Sequence, residues 1–417
     1  MKASIKRIIC VTVGAILLIG LYPIQDFKAS VIPIPKEFSK HGLIFRVDEK
    51  LKGNHGIVSV IGLDDEAYEE DLNNIVIPDY VRKNQITWDV KKIAPFAFND
   101  RTDLNSVVIS EGVKEIGYCA FRNCQGLCDL TIPASLNSIE TFAFSGCSNL
   151  KNINISEDSE SFSSKKGLIL SKDGTGLLFA PGASGEYRIE KGITCICAGA
   201  FDSNPELTGI KLSGSVKTIE EAAFFNCKKM TGIDLKNTEY IGKEAFCNSG
   251  LVSVRIPASV THIEGNPFSY CESLGEITVS KKNTEFRSDN GILLSASGKK
   301  VISAAAADSD IVIPSKVTTV GAYAFAGNSK IQDIVFPSGL KKINEGAFAD
   351  CTSLKKIRFS SRKVGFKEPS EDKTGAFYNT FYYLNVEFPY SDESFSEGSV
   401  ELTIKANCPK GVLITNY

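Results

Sequence analysis

A hexad of the form Ile-x-x-x-Ala-Phe, recurring at near-constant spacing, constrains this 417-residue chain more than any other feature. It occurs at Ile93–Phe98, Ile116–Phe121, Ile139–Phe144, Ile196–Phe201, Ile219–Phe224 and Ile241–Phe246. It returns at Ile263–Phe268 (Pro267 for Ala), Val320–Phe325 and Ile343–Phe348. The intervals between phenylalanines are 23, 23, 57, 23, 22, 22, 57 and 23 residues. Self-similarity at such a period signals stacked copies of one supersecondary unit. About six residues after each Phe a second element opens, as in Leu104-x-x-Val107-x-Ile109, Leu127-x-x-Leu130-x-Ile132 and Leu150-x-x-Ile153-x-Ile155. Its alternation is that of a short strand with one buried face. Pro133, Pro257 and Pro337 end several of these strands, as a residue without an N–H must.

The physical reason to stack is direct. One coil of ~23 residues has no second layer to cover its apolar side chains. A neighbouring coil removes that surface from water, worth ~1.5–3 kcal/mol for each large side chain. The array is therefore stable only as a whole. A dozen strands at ~4.8 Å predict a curved rod about 60 Å long.

The two 57-residue intervals are related. Counted from Phe144, the landmarks Phe162, Gly167, Leu170, Asp173-Gly174 and Ile189 fall at the offsets of Phe286, Gly291, Leu294, Ser297-Gly298 and Ile313 from Phe268. We read in each an inserted β-hairpin with a glycine-containing turn, near 157–185 and 281–309, followed by another coil strand. The array has thus duplicated a block of 124 residues, the distance from Phe144 to Phe268 and from Phe201 to Phe325. A rod with open ends exposes strand edges and an apolar face. Residues 31–90, which alternate like strands, are read as an N-terminal β cap, 91–360 as the solenoid, and the aromatic-rich 361–417 as a C-terminal cap. Leu72-x-x-Ile75-x-Ile77-Pro78 is an early copy of the strand, and Leu384-x-Val386-x-Phe388-Pro389 a degenerate late one.

The pattern Ile-Pro-x-x-Val-x-x-Ile-x-x-x-Ala-Phe-x-x-Cys-x-x-Leu-x-x-Ile resembles the BspA-like, treponemal-type leucine-rich repeat. Residues Ile132 to Ile153 match it almost throughout: Ile132-Pro133, Leu136, Ile139, Ala143-Phe144, Cys147, Leu150 and Ile153. The resemblance spans roughly residues 70 to 360. It implies a β-rich leucine-rich-repeat solenoid with short parallel strands, an irregular or short-helical convex side and the two inserted hairpins. It further implies a bacterial surface protein, of a kind some members of which adhere to host matrix proteins, host cells or other microbes.

Residues 1–30 read as a signal peptide, with a retained N-terminal anchor as the alternative. Lys2, Lys6 and Arg7 precede an apolar run from Ile8 to Leu21, shorter than the ~20 residues of a well-matched membrane span. The expected location is secreted or at the cell surface, with contact to a membrane only through that segment. The C-terminus carries no Leu-Pro-x-Thr-Gly sorting signal, so covalent attachment to a cell wall is not expected.

Composition narrows the chemistry. Lys plus Arg number 47 against 49 acidic residues, which gives no basic footprint for nucleic acid. Only His41, His55 and His262 are available for imidazole chemistry. No paired carboxylates outside loops, phosphate-binding glycine loop or Ser–His–Asp spacing is found, so no catalytic, cofactor or metal residues are assigned and an enzyme is not expected. The acidic stretches Asp64-Asp65-Glu66 and Glu69-Glu70-Asp71 read as solvated loop. Of twelve cysteines, Cys124, Cys147, Cys227, Cys271 and Cys351 stand three residues after a Phe. A residue type fixed in the repeat register is a packing choice, so free core thiols are expected, with Cys124–Cys147 geometrically able to bond. Cys195-x-Cys197 straddles Ile196 and faces away from it, and no redox or metal role is expected of it. Cys119, Cys124 and Cys128 are close in sequence but occupy three different repeat registers, with no His nearby to complete a zinc set.

Binding, if it occurs, falls to the strand residues that point away from the core. They form two columns on the concave face, within which we single out Asp129, Thr131, Asn152, Asn154, Lys211, Asp234, Arg255, Glu276, Thr278, Asp333 and Arg358. The expected partner is an extracellular protein or glycan. The columns are polar, mixed in charge and without aromatics, whereas interface hot spots favour Trp, Tyr and Arg. A structural envelope protein without a dedicated ligand is therefore the alternative.

Overall fold

The computed structural model describes residues 37–51, 54–66, 71–305 and 309–360, with the backbone strands Gly365–Phe366, Leu384–Phe388 and Val412–Asn416. The leader at 1–30, the aromatic stretch Phe377–Tyr383, most of 361–417 and Glu69-Glu70 lie outside the described residues. What is described is a β-solenoid without a helix.

Each regular coil contributes two strands. The Leu-x-x-Ile-x-Ile element forms the longer one, and these run parallel and in register, as in Asn74–Ile77, Ser106–Ile109, Asp129–Ile132 and Asn152–Ile155. The hexad's leading Ile ends a second strand, two residues long except for Ile86–Ile93 in the first coil, and these form a second parallel ladder: Ile93, Ile116 and Ile139 in one stretch, Ile196, Ile219, Ile241 and Ile263 in another. The phenylalanines complete the core. Phe98, Phe121 and Phe144 stack at 5.0 and 5.5 Å, and Phe201, Phe224, Phe246 and Phe268 at 5.0, 5.4 and 5.5 Å. All seven rings are buried. Offset stacking at this spacing adds to the burial itself.

The convex turn stays irregular for a reason visible in its hydrogen bonds. The N–H groups of Phe121 and Asn123 donate not within their own coil but to Ala143 and Ser145 of the next, at 2.8 and 2.7 Å. Phe224 and Asn226 do the same to Ala245 and Cys247. The intervening residues close tight turns, such as Cys124 N to Phe121 O at 3.2 Å. Sending every second N–H across to a neighbour requires left-handed residues two before and two after the Phe. Cys119 and Asn123 (φ 52° and 59°), Ala222 and Asn226 (52° and 57°) adopt that conformation. A helix, which needs each N–H for its own chain, cannot form.

The residue three after each Phe has its own task. Cys124, Cys147, Cys227, Cys271 and Cys351 point their thiols at the carbonyl of the Phe one coil back, Sγ to O 2.9–3.1 Å. All five are buried and free, so the core-thiol expectation matches the structure and Cys124 and Cys147 are not bonded. Burial pushes the Cys271 thiol up to about 11 and raises those of Cys147, Cys227 and Cys351 as well. In the coils that follow the insertions the same position holds Asn204 and Asn328. Asn204 donates to Pro181 O and Ala183 O (3.2 and 2.8 Å) and accepts from the N–H groups of Glu206 and Leu207. Asn328 repeats the arrangement toward Ala305 O, Lys330 N and Ile331 N.

Each insertion is a three-stranded antiparallel meander. In the first, Phe162–Lys165, Leu168–Ser171 and Gly176–Phe179 pair in turn, and the third strand joins the short parallel ladder beside Cys195–Ile196. The second uses Phe286–Asp289, Ile292–Ser295 and Lys300–Ala304, joining Thr319–Val320. The turns Lys166-Gly167 and Asn290-Gly291 have positive φ at both residues, the mirror-image geometry that suits a twisted hairpin. The meander coil has both strands but no Phe turn. The convex turn before it therefore bonds directly to the one after it, through Gly146 N to Asp202 O (3.4 Å) and Tyr270 N to Ala326 O (2.9 Å). Gly199 permits the first approach: a Cβ there would lie 2.7 Å from the Phe142 ring.

At the N-terminal end Glu37–Lys40, Leu43–Lys50 and His55–Leu63 pair antiparallel, and the last then runs parallel to Ile86–Ile93. The series of long strands begins at Asn74–Ile77 and ends with Leu384–Phe388 and Val412–Asn416, inside both segments read above as caps.

Candidate functional site: the outward strand face

Along the long strands the side chains alternate between core and solvent. In Asp129–Ile132, Leu130 and Ile132 are buried and Asp129 is exposed; in Ser253–Ile256, Val254 and Ile256 are buried while Ser253 and Arg255 are exposed. Parallel register then lines equivalent positions up across coils, Asp129 beside Asn152 and Thr131 beside Asn154, Arg255 beside Thr278, Asp333 beside Lys356. Of the singled-out residues, Asp129, Asn152, Asn154, Lys211, Asp234, Arg255 and Glu276 are exposed, and Thr131, Thr278, Asp333 and Arg358 half-buried. Asp234 departs from the column. Its strand is only Gly232–Ile233, and Asp234 turns to accept from the Lys236 N–H and pair with its ammonium.

The face is not one continuous sheet. Its ladders are Asn74 to Ile155, Gly185 to Ile233, Ser253 to Val279 and Asp310 onward; two of the breaks fall at the meanders and the third beside the shortened strand Gly232–Ile233. Electrostatically it is a patchwork. Asn152 Nδ2 donates to Asp129 Oδ1 at 2.9 Å, Ser106 Oγ to Asn74 Oδ1 at 2.8 Å, and Lys211 pairs with Glu186. Thr131, Asn154, Arg255, Glu276 and Thr278 have no side-chain hydrogen bond or ion pair among the described residues. Val76 and Val108 sit side by side at 57% and 41% exposure and form a small apolar step at the N-terminal end.

Elsewhere the three histidines are scattered. His41, His55 and His262 are all exposed, and His262 stacks flat on Tyr240 at 5.1 Å. Within the acidic stretch Asp65 pairs with Arg101 at 2.6 Å, and Arg101 also holds Asp103 in a two-point contact, which ties the N-terminal strands to the first coil. No helix of the described residues is long and apolar enough to cross a membrane.

The sequence matches the BspA type leucine rich repeat region in six copies, over residues 67–166, 186–290 and 305–405. No curated protein matches it. Among solved structures the chain is similar to a leucine rich cell surface protein from Faecalibacterium prausnitzii A2-165, at 21% identity over 91% of this chain and 95% of that one, with a TM-score of 0.41. It is also similar to a leucine-rich repeat protein from Bacteroides ovatus (21% identity, 91% and 99% coverage, TM-score 0.37) and to the pneumococcal vaccine antigen PcpA (16%, 92% and 99%, TM-score 0.31). The intervals 167–185 and 291–304, between the matched stretches, hold the second and third strands of the two meanders. A match that covers well over half of the chain and pauses at those two departures from the repeat makes the protein a member of the BspA-type leucine-rich-repeat family.

Proposed function

We propose that this chain is an exported recognition scaffold that holds an extracellular protein or glycan on its outward strand face. The observation that carries the reading is a contrast within that face. Its backbone is fixed by parallel register, while Thr131, Asn154, Arg255, Glu276 and Thr278 are left without internal partners. Polar groups arrayed on a rigid frame can bind without the ordering cost that weakens a flexible binder. Export is supported by the basic and apolar leader at residues 2–21, and it agrees with the description of the similar Faecalibacterium prausnitzii protein as a cell surface protein. Binding rather than catalysis is favoured by the scatter of the histidines and by the repeat family itself.

The test is binding of the full chain to panels of matrix proteins and glycans. Arg255→Glu is expected to weaken the true ligand by at least tenfold, the effect of about 1.4 kcal/mol, with unfolding unchanged. Binding indifferent to Arg255→Glu and to Asn154→Lys would remove the strand face as the site. No binding to any panel member favours a structural role in the envelope, a reading that the lack of aromatics in the columns already supports.

A further inference from the structure

Offset by 124 residues, the two blocks place different side chains on one spot, where the third meander strand meets the next coil. In the second block that spot is an open cleft of about 240 Å³ lined by Lys300, Gly321, Asn344 and Glu345, among others. The first block has Gly176, Cys197, Glu220 and Glu221 at those positions, and Cys195 where the second has Thr319. Cys195 and Cys197 flank the buried Ile196, so both thiols leave the strand on the side away from the core, with Sγ atoms 3.8 Å apart. Gly176 pairs with Cys195 across the ladder, and a Cβ there would stand 3.4 Å from Cys197 Sγ, so its missing side chain leaves that sulfur room. The following coil supplies Glu220, and one of its carboxylate oxygens and the two sulfurs all lie within 4.8 Å of one another. The Ala198 N–H donates to Glu220 Oε2 at 2.9 Å and orients the carboxylate.

We propose that Cys195, Cys197 and Glu220 bind a thiophilic divalent cation of the zinc type. Two thiolates ~2.3 Å from a tetrahedral zinc stand about 3.8 Å apart, the separation that the strand already imposes. A set of two sulfurs and one oxygen suits zinc and disfavours magnesium or calcium, which take oxygen alone. Three protein ligands leave a fourth position for water or for a donor from another molecule. The backbone N–H on Glu220 is the outer-shell bond that such ligands need. Both cysteines bind a metal as thiolates, each giving up its thiol proton. Metal binding releases both, so affinity falls as the pH is lowered. Spacing within one strand misses the site, since the third ligand comes from the next coil.

The test uses the full chain, reduced and stripped of metal, with cobalt(II) as the probe. One equivalent is expected to give the thiolate-to-cobalt charge-transfer bands of a tetrahedral site, discharged by zinc. The double variant Cys195→Thr, Cys197→Gly carries the second block's own residues, which the fold already accommodates at Thr319 and Gly321. It is expected to lose the bands while melting as the metal-free parent does. Glu220→Asn, again the second block's residue, removes a ligand and is expected to cost at least about tenfold in zinc affinity, the lower bound for losing even an outer-shell partner, and Cys128→Ser nothing. Absence of the bands, their survival in the double variant, or their equal loss in Cys128→Ser would overturn the proposal. So would unaltered affinity in Glu220→Asn, which decides the matter even if the double variant does not fold.

Discussion

The two meander blocks share a backbone plan strand for strand, yet they finish their junctions with different side chains. In the first, Phe179 closes the end of the phenylalanine stack, its ring edge-on to Phe144 at 5.6 Å. Its counterpart in the second is Ser303, buried with a hydroxyl that lacks a partner. Asp202, buried at the first convex junction with Oδ1 unpartnered, corresponds to Ala326. The cysteine pair and Glu220 correspond to Thr319, Gly321 and Asn344. The architecture thus tolerates either set, and what differs is the chemistry enclosed. Each block serves as a folding control for the other, so exchanging residues between them separates what the rod requires from what one junction has acquired.

The largest expected effect comes from removing the ring that only the first block has. Phe179→Ser should lower stability by about 3–5 kcal/mol in denaturant unfolding, the usual cost of emptying a phenylalanine site. A loss below about 1 kcal/mol would mean that the second block's way of ending the stack serves equally well in the first.

Asp202→Ala should work in the opposite direction. Burial is the main cause that pushes the Asp202 carboxyl up to about 6. Between about pH 4 and 6 the folded protein keeps a proton that the unfolded chain gives up, so this group's share of stability is lost as the pH rises. Replacing it with the second block's alanine should raise stability at pH 7 by roughly 2–3 kcal/mol. Unfolding midpoints measured from pH 4 to 7 should also flatten relative to the parent; an unchanged pH slope would show that the carboxyl finds a partner in solution.

A smaller change sharpens the comparison where the blocks agree. Asn204 and Asn328 both stand where other coils use cysteine, because the meander coil has no Phe turn and so offers no Phe carbonyl one coil back for a thiol to reach. Asn204→Cys installs the commoner residue of the repeat and should still cost about 2 kcal/mol, since the N–H groups and carbonyls that it leaves have no other partner. Thermal unfolding of Asn204→Cys beside Cys227→Asn would show whether the two positions are truly specialised.

The rod was legible in the sequence because its cause is periodic. Every ring in the stack and every inward residue of the long strands recurs at a fixed place, and burial acts on each copy alike. The convex turn was less legible. Of its left-handed positions before the Phe, only Gly199 and Gly346 are glycine; Phe96, Cys119, Phe142, Ala222, Glu244 and Tyr323 are types that do not favour that conformation, which hydrogen bonds from the next coil impose. The positions after the Phe did carry a signal, since Asp100, Asn123, Gly146, Asn226, Asn248, Gly327 and Asp350 are mostly residues that tolerate positive φ. For the outward face, sequence alternation assigned which side chains leave the core, but not that Asp234 would fall beyond a shortened strand or that Asn152 and Asp129 would satisfy one another. Those outcomes depend on neighbours one coil away. The pairing of Glu220 with Cys195 and Cys197 was hidden for the same reason.

Because the convex turns on either side of each meander are bonded to one another, the rod can carry extra chain as a side branch without a break in its spine. Length and ornament are then separately adjustable: copying a coil extends the spine, whereas a segment spliced in at the Asp173-Gly174 tip, where a Cβ added to Gly174 would meet nothing within 4 Å, would leave the spine as it was. A graft at that tip offers a way to hang a cargo domain on the protein at a fixed height along its axis.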